Sequence, residues 1–157
     1  MANSYANFTG LTPDNAPTNS RAVLDANTIV TVSLPSSASS TVNSSSIDLG
    51  DAVLGVPYSS TETVNLQVLA PALSTTILPD TRTMSYVVAD SADNSSFTAI
   101  GTLATQTQTG ASSAGASAAT YTFKLPPSTR RYIRLQVTSG ASTTDASATS
   151  ATFQLAY

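Results

Sequence analysis

A run of nine residues, Arg130–Thr138, restricts the fold of this chain more than any other stretch. Ile133, Leu135 and Val137 fall on one parity, and Tyr132, Arg134, Gln136 and Thr138 on the other. A strand sends alternate side chains to opposite faces, so this pattern predicts a half-buried antiparallel strand with its apolar face on a core. Just upstream, Tyr121, Phe123 and Leu125 alternate with Thr122 and Lys124 in the same way. Pro126-Pro127-Ser128-Thr129 between the two runs reads as a tight turn joining two strands.

The same signal recurs along the chain. Thr28–Leu34 carries Val30, Val32 and Leu34 and stops at Pro35. A Ser-rich segment, residues 35–46, reads as a loop before the short Ile47-Asp48-Leu49-Gly50. Glu62–Leu69 alternates Val64, Leu66 and Val68, and Thr83–Ala89 alternates Met84, Tyr86 and Val88. Phe97–Thr105 is a fainter strand, and Gln106–Ala118 reads as a mobile, exposed low-complexity loop. Ala119–Leu125, Arg130–Thr138 and Ser150–Tyr157 complete about eight strands.

Composition agrees with this pattern. Ser and Thr fill 50 of the 157 positions, while Lys appears once and only 10% of residues are charged. Thr and Val suit strands, Ser, Asn, Gly and Pro suit turns, and the charged helix formers are scarce. The expectation is an all-β domain over residues 28–157, preceded by an extended N-terminal arm over residues 1–27. Long, irregular connections favour a jelly-roll-like antiparallel β-sandwich. An immunoglobulin-like sandwich is the alternative, although the chain has neither the Trp nor the Cys pair of that fold.

Several functions are hard to build from these residues. With no His and no Cys, Ser-His-Asp, Cys-His and His- or Cys-ligated metal chemistry are excluded, and no disulfide can form. Lys124 lies within a strand run and lacks the spacing of a Ser-Lys site. Asp14, Asp51, Asp80, Asp90, Asp93 and Asp145 all stand in turn-like contexts, where Asp bonds its own backbone. Asp90-Ser91-Ala92-Asp93-Asn94 spaces oxygen ligands like a calcium loop but lacks that loop's Gly and closing Glu. No enzyme activity and no cofactor are expected. A net charge of −3 and six scattered cations argue against nucleic acid. No apolar run is long enough to span a bilayer. Met1–Gly10 has no basic or apolar signal-peptide region, so the expectation is synthesis in a cytoplasm.

Two groups of residues are candidates for protein contact. Arg130, Tyr132 and Arg134 share a parity, and Arg and Tyr are enriched at interface hot spots. Tyr5, Phe8 and Leu11 are apolar residues without period in the arm, suited to docking on another surface. Arg131, on the opposite parity, should lie near the sheet edge or snorkel outward.

Three segments together resemble the small cement, or decoration, proteins of tailed-bacteriophage capsids. Ser46–Gly50 is similar to their IDLG segment after a Ser/Thr stretch. Ser85–Val88 followed by Asp90–Thr98 is similar to their strand and its S-x-D-x-S-F-T turn. Leu125-Pro126-Pro127 with Arg131–Leu135 resembles their LPP…RYLRL segment. The resemblance spans about Thr41 to Tyr157 and leaves out the arm and the loop at Gly110–Ala118. It implies a jelly roll on the outer surface of the virion that binds the major capsid protein, self-associates as a homodimer or else a trimer, and clamps capsomers against internal DNA pressure. The competing class is a carbohydrate- or receptor-binding module. Such a site usually stacks sugars on exposed aromatics, for which Tyr58 is the candidate.

Overall fold

The computed structural model describes residues 29–49 and 65–156, apart from the Ala156 side chain. The arm, Tyr58 and the first residues of the expected strand at 62–69 lie outside them. The described residues form ten strands and no helix: β1 (Ile29–Ser33), β2 (Thr41–Asn43), β3 (Ile47–Asp48), β4 (Asn65–Ala70), β5 (Thr83–Ser91), β6 (Thr98–Ala99), β7 (Gln106–Thr109), β8 (Ala119–Lys124), β9 (Tyr132–Ser139) and β10 (Ser150–Ala156).

Every ladder is antiparallel. One sheet runs β1-β10-β4-β8. The other runs β2-β9-β5-β6, with β3 also on β9 and β7 also on β5. The short strands β2 and β3 share one lane, as do β6 and β7. Strands from the first half of the chain then pair with strands of the second half in reverse order: β1 with β10, β2 and β3 with β9, β4 with β8, and β5 with β6 and β7. That is one long hairpin rolled across two sheets, the jelly-roll sandwich.

The core is the set of inward parities. Val32 and Leu34, Leu66 and Val68, Met84, Tyr86 and Val88, Phe123, Ile133, Leu135 and Val137, and Phe153 and Leu155 are all buried between the sheets. Leu73 and Leu78, from the connection between β4 and β5, are buried with them. Burying a side chain of this kind contributes about 1.5–3 kcal/mol over leaving it in water. Long β9 contacts β5 on one side and β2 and β3 on the other, which makes it the spine of its sheet.

Four sequence expectations need correction. The Ser-rich segment contains β2, whose Thr-Val-Asn alternation its serine neighbours obscured. Serine completes the ladder there: Ser44 N–H donates to Leu135 O and Ser44 Oγ accepts from Leu135 N–H, both at 2.9 Å. Ser139 Oγ accepts from Ser40 N–H at 3.1 Å. Second, Pro126–Thr129 does form a turn, closed by Thr129 N–H on Pro126 O at 3.0 Å. It does not make a hairpin, because β8 and β9 belong to opposite sheets. Third, the fainter strand shrinks to β6.

Fourth, Gln106–Ala118 is exposed at most of its residues, as expected, but it carries regular structure, opening with β7 and closing through bridges between Ala111 and Gly115 and between Leu73 and Ala116. Its two glycines are required by proximity. A Cβ at Gly110 would collide with Pro79 O and Leu78 O, and one at Gly115, whose φ is +68°, with Leu73 O. Gln108 in this segment is buried and saturated. It accepts from Tyr86 Oη at 2.6 Å, and its Nε2 donates to Pro71 O and Ser117 O at 2.9 Å.

Burial, with Tyr121 beside it, pushes the Tyr86 phenol above its ordinary value of 10.0. The fold therefore keeps a proton that the unfolded chain releases. Stability should be full below pH 10 and fall as pH rises beyond it. Tyr86→Phe should lower stability at neutral pH by about 1–3 kcal/mol, since Gln108 Oε1 loses its donor. The same change should flatten the alkaline fall. Urea unfolding across pH checks both.

Candidate functional site

The candidate residues of β9 lie at one corner of the six-stranded sheet, where the ends of β3, β5 and β9 meet. Register sets Tyr132 opposite Asp48 on one side and Ser91 on the other, and Arg134 opposite Ala89. The alternating burial of β9 matches the sequence pattern, with Ile133, Leu135 and Val137 buried and the intervening residues half-buried.

Arg130 does not share the outer strand face with Tyr132 and Arg134. It precedes β9, and its side chain is committed to Asp90. Arg130 N–H donates to Asp90 Oδ2 and Nε to Oδ1, both at 2.9 Å, while Nη2 donates to Asp90 O at 2.7 Å and also to Oδ1. Asp90 is the last inward-parity residue of β5 and is buried, so an ionised carboxylate there requires a cation. Asp90 thus has a pairing role rather than the turn role expected from its neighbours. The hydrogen bonds to Asp90 raise the Arg130 pKa further above its ordinary range.

Arg131 reaches the edge of the sheet, as expected. Its Nε and Nη2 donate to the two Asp48 carboxylate oxygens at 2.9 Å, and its guanidinium lies 5.0 Å from the Tyr132 ring centroid. Arg134 stacks on Phe97, with 4.1 Å between guanidinium carbon and ring centroid. Its Nε is buried and has no hydrogen-bond acceptor.

Phe97 is positioned by the loop that follows β5. Asp93 gathers it, accepting from Ser91 Oγ at 2.8 Å, Ser95 N–H at 2.9 Å, Ser95 Oγ at 2.7 Å and Ser96 N–H at 3.0 Å. Asn94 turns the chain with φ at 59°. These donors, the Ser96 amide first, hold the Asp93 carboxyl well below the usual carboxylate range. Both carboxylates of the calcium-like segment are thus already engaged, Asp90 by arginine and Asp93 by amides and hydroxyls. Among the described residues no three His, Cys, Asp or Glu side chains are placed to hold a metal.

Other candidates fall apart from this corner. Lys124 is exposed at the end of β8, on the other sheet. Asp145 keeps the expected turn role, accepting from Ser147 N–H and Oγ. Tyr5, Phe8 and Leu11 lie outside the described residues. Sequence reasoning missed Asp48, Asp90 and Phe97 as members of the corner. The available signal was a carboxylate ending an apolar strand run, which demands a partner.

The two ion pairs should differ in weight. Arg130→Ala leaves the buried Asp90 carboxylate without its cation and should lower stability by about 2–4 kcal/mol. Asp48→Ala breaks an exposed pair and should change it by no more than about 1 kcal/mol. Chemical denaturation of both variants tests this order. A carboxyl depressed in the fold contributes stability that is present above its unfolded pKa and lost as pH falls through the folded one. The Asp93 loop should therefore persist at pH values where free aspartate is already protonated, which the Ser95 and Ser96 amide resonances report.

No protein-family model matches the chain, and no curated protein matches it. Among solved structures, the crystal structure of the PBSX exported protein XepA is similar with a TM-score of 0.48 and 16% identity. The match covers 80% of this chain and 34% of that one, so the chain spans about a third of that protein's length. Likeness at this level bears on neither role nor partners.

Proposed function

We propose that this protein is a structural virion component that binds the outer surface of an assembled tailed-phage capsid and cements neighbouring capsomers. One observation carries the reading. The three segments that resemble capsid cement proteins are far apart in sequence, yet they meet at the single corner described above. Asp48 of the first pairs with Arg131 of the third. Asp90 of the second pairs with Arg130, which enters the third. Phe97 of the second lies under Arg134 of the third. Residues that resemble one family therefore build one surface.

That surface suits a protein partner. It offers aromatic area and arginine, the residues that dominate interface energetics. Its two ion pairs neutralise Arg130 and Arg131 and hold Tyr132 and the strand ends in place. Arg134 brings a cation stacked on an aromatic ring, which a carboxylate or carbonyl of the major capsid protein would pair. A single contact of this size is modest, but repeated over a shell, and doubled by self-association, it becomes firm through effective concentration. The role uses no catalytic group, cofactor, nucleic acid or membrane, and it is compatible with synthesis in a host cytoplasm followed by attachment to the finished shell.

The decisive experiment is co-sedimentation of the purified protein with shells of its own phage that lack it. Saturable binding at a fixed ratio to the shell subunit, with shells gaining heat resistance, is expected. Arg134→Ala and Phe97→Ala should weaken binding by about tenfold or more, with little change in unfolding midpoint. Absence of binding to such shells would rule the reading out and leave a glycan or receptor as the next partner to screen.

A further inference from the structure

Among the described residues each sheet has two outer lanes, where a strand turns a row of backbone N–H and C=O groups away from its neighbour. Three of the four lanes are blunted. β2 and β3 are three and two residues long, and β3 ends in Asp48. β6 has two residues, and β7 has four before the chain turns at Gly110. β8 ends in Lys124 and runs on to Pro126-Pro127. β1, Ile29-Val30-Thr31-Val32-Ser33, has neither charge nor proline, and four of its residues are β-branched. Ile29 is 40% exposed. Among the described residues β10 is the only strand paired with it.

The register fixes which backbone groups face the open side. Leu34 N–H donates to Thr149 O at 2.9 Å, one step beyond the facing pair Ser33 and Ser150. Hydrogen-bonded and non-hydrogen-bonded pairs alternate in an antiparallel ladder. Val30 and Val32 therefore bond to β10, while Ile29, Thr31 and Ser33 aim their N–H and C=O groups outward. These three positions are symmetric about Thr31.

We infer that β1 is a self-association edge, where a second copy of this chain adds its own β1 antiparallel about a two-fold axis at Thr31. Thr31 then faces its own copy, and Ile29 faces Ser33 on both sides, so every outward group finds a partner. Val30 meets Val32 on the core side, and the two four-stranded sheets become one continuous sheet. Self-complementarity selects a second copy over an unrelated strand. Backbone phase, inward valines and outward threonine each map onto themselves under the rotation, as an isologous contact requires. No charge sits on the edge to oppose a chain whose net charge is −3. A single strand seam is smaller than the ~1,000 Å² of a robust interface. The association is therefore weak in dilute solution and firm where copies are crowded. This inference does not depend on the capsid reading.

The chain has no cysteine, so single-cysteine variants report cleanly. Facing Thr31 residues would stand about 5.5 Å apart at Cα, within disulfide reach. Under mild oxidation, Thr31→Cys in the whole chain should form a linked dimer, while Thr122→Cys, equally exposed on β8, should not. Sedimentation equilibrium from micromolar to millimolar should show wild-type self-association. Thr31→Lys should weaken it about fivefold by facing like charges across the seam. Amide exchange at Ile29, Thr31 and Ser33 of the wild type should slow as concentration rises. A wild type that stays monomeric throughout, equal cross-linking of the two cysteine variants, or exchange at these amides that ignores concentration would overturn the inference.

Discussion

The hydrogen bond from Tyr86 to Gln108 is the interaction on which the arrangement of the two sheets turns. Tyr86 fills the middle of the core, and its hydroxyl needs an acceptor there. Gln108 supplies it from β7 and spends its own amide on Pro71, just after β4, and on Ser117, just before β8. One side chain thus ties the six-stranded sheet to two of the connections between the sheets, β4 to β5 and β7 to β8. Gly110 and Gly115 follow from this, because the segment carrying Gln108 must lie against the carbonyls of 73, 78 and 79 to reach its position. Within a mostly exposed stretch rich in alanine and serine, the two glycines are what allow the approach.

The arginine corner solves a different problem. Where strands of one sheet end, backbone and carboxylate groups lose their regular partners. Arg130 and Arg131, adjacent in sequence, reach opposite neighbours, Asp90 on β5 and Asp48 on β3. Together they clamp β9 between the strands that flank it. Stacking on Tyr132 and Phe97 then fixes the planes of the remaining groups. The result is a pre-organised surface, in which little side-chain freedom remains to be lost when a partner binds.

How much of this could be read from the chain depended on period. Strands of six or more residues with apolar parities, such as β5, β9 and β10, were legible because strict alternation over that length fits a two-faced strand and clashes with the 3.6-residue period of a helix. β2 was not, because three residues among serines carry no period, and serine's part there is to substitute for backbone partners. The strand order was out of reach as well. Nothing local in Leu125–Thr129 distinguishes a hairpin from a crossing between sheets; the outcome is set by where the rest of the chain has already placed β4 and β5. Tyr132 and Arg134 were legible as an outward face. The diversion of Arg130 to Asp90 was not, since a carboxylate ending an apolar run signals the need for a partner but not which cation, forty residues on, supplies it.

The rolled hairpin also sets the order in which the molecule can come into being. β10, the last of the ten strands to be synthesised, lies between β1, the first of them, and β4, so Gln154 must find both Ile29 and Gln67. Until that seven-residue strand is available, the four-stranded sheet is two disconnected pieces with Phe153 missing from between them. Contacts this distant along the chain make closure slow relative to local pairing. Completion of the sandwich must therefore wait for β10 to be made. A nascent chain, or one clipped before Ser150, would leave β1 without its β10 partner, and the finished fold is itself a proofreading that translation has passed that point.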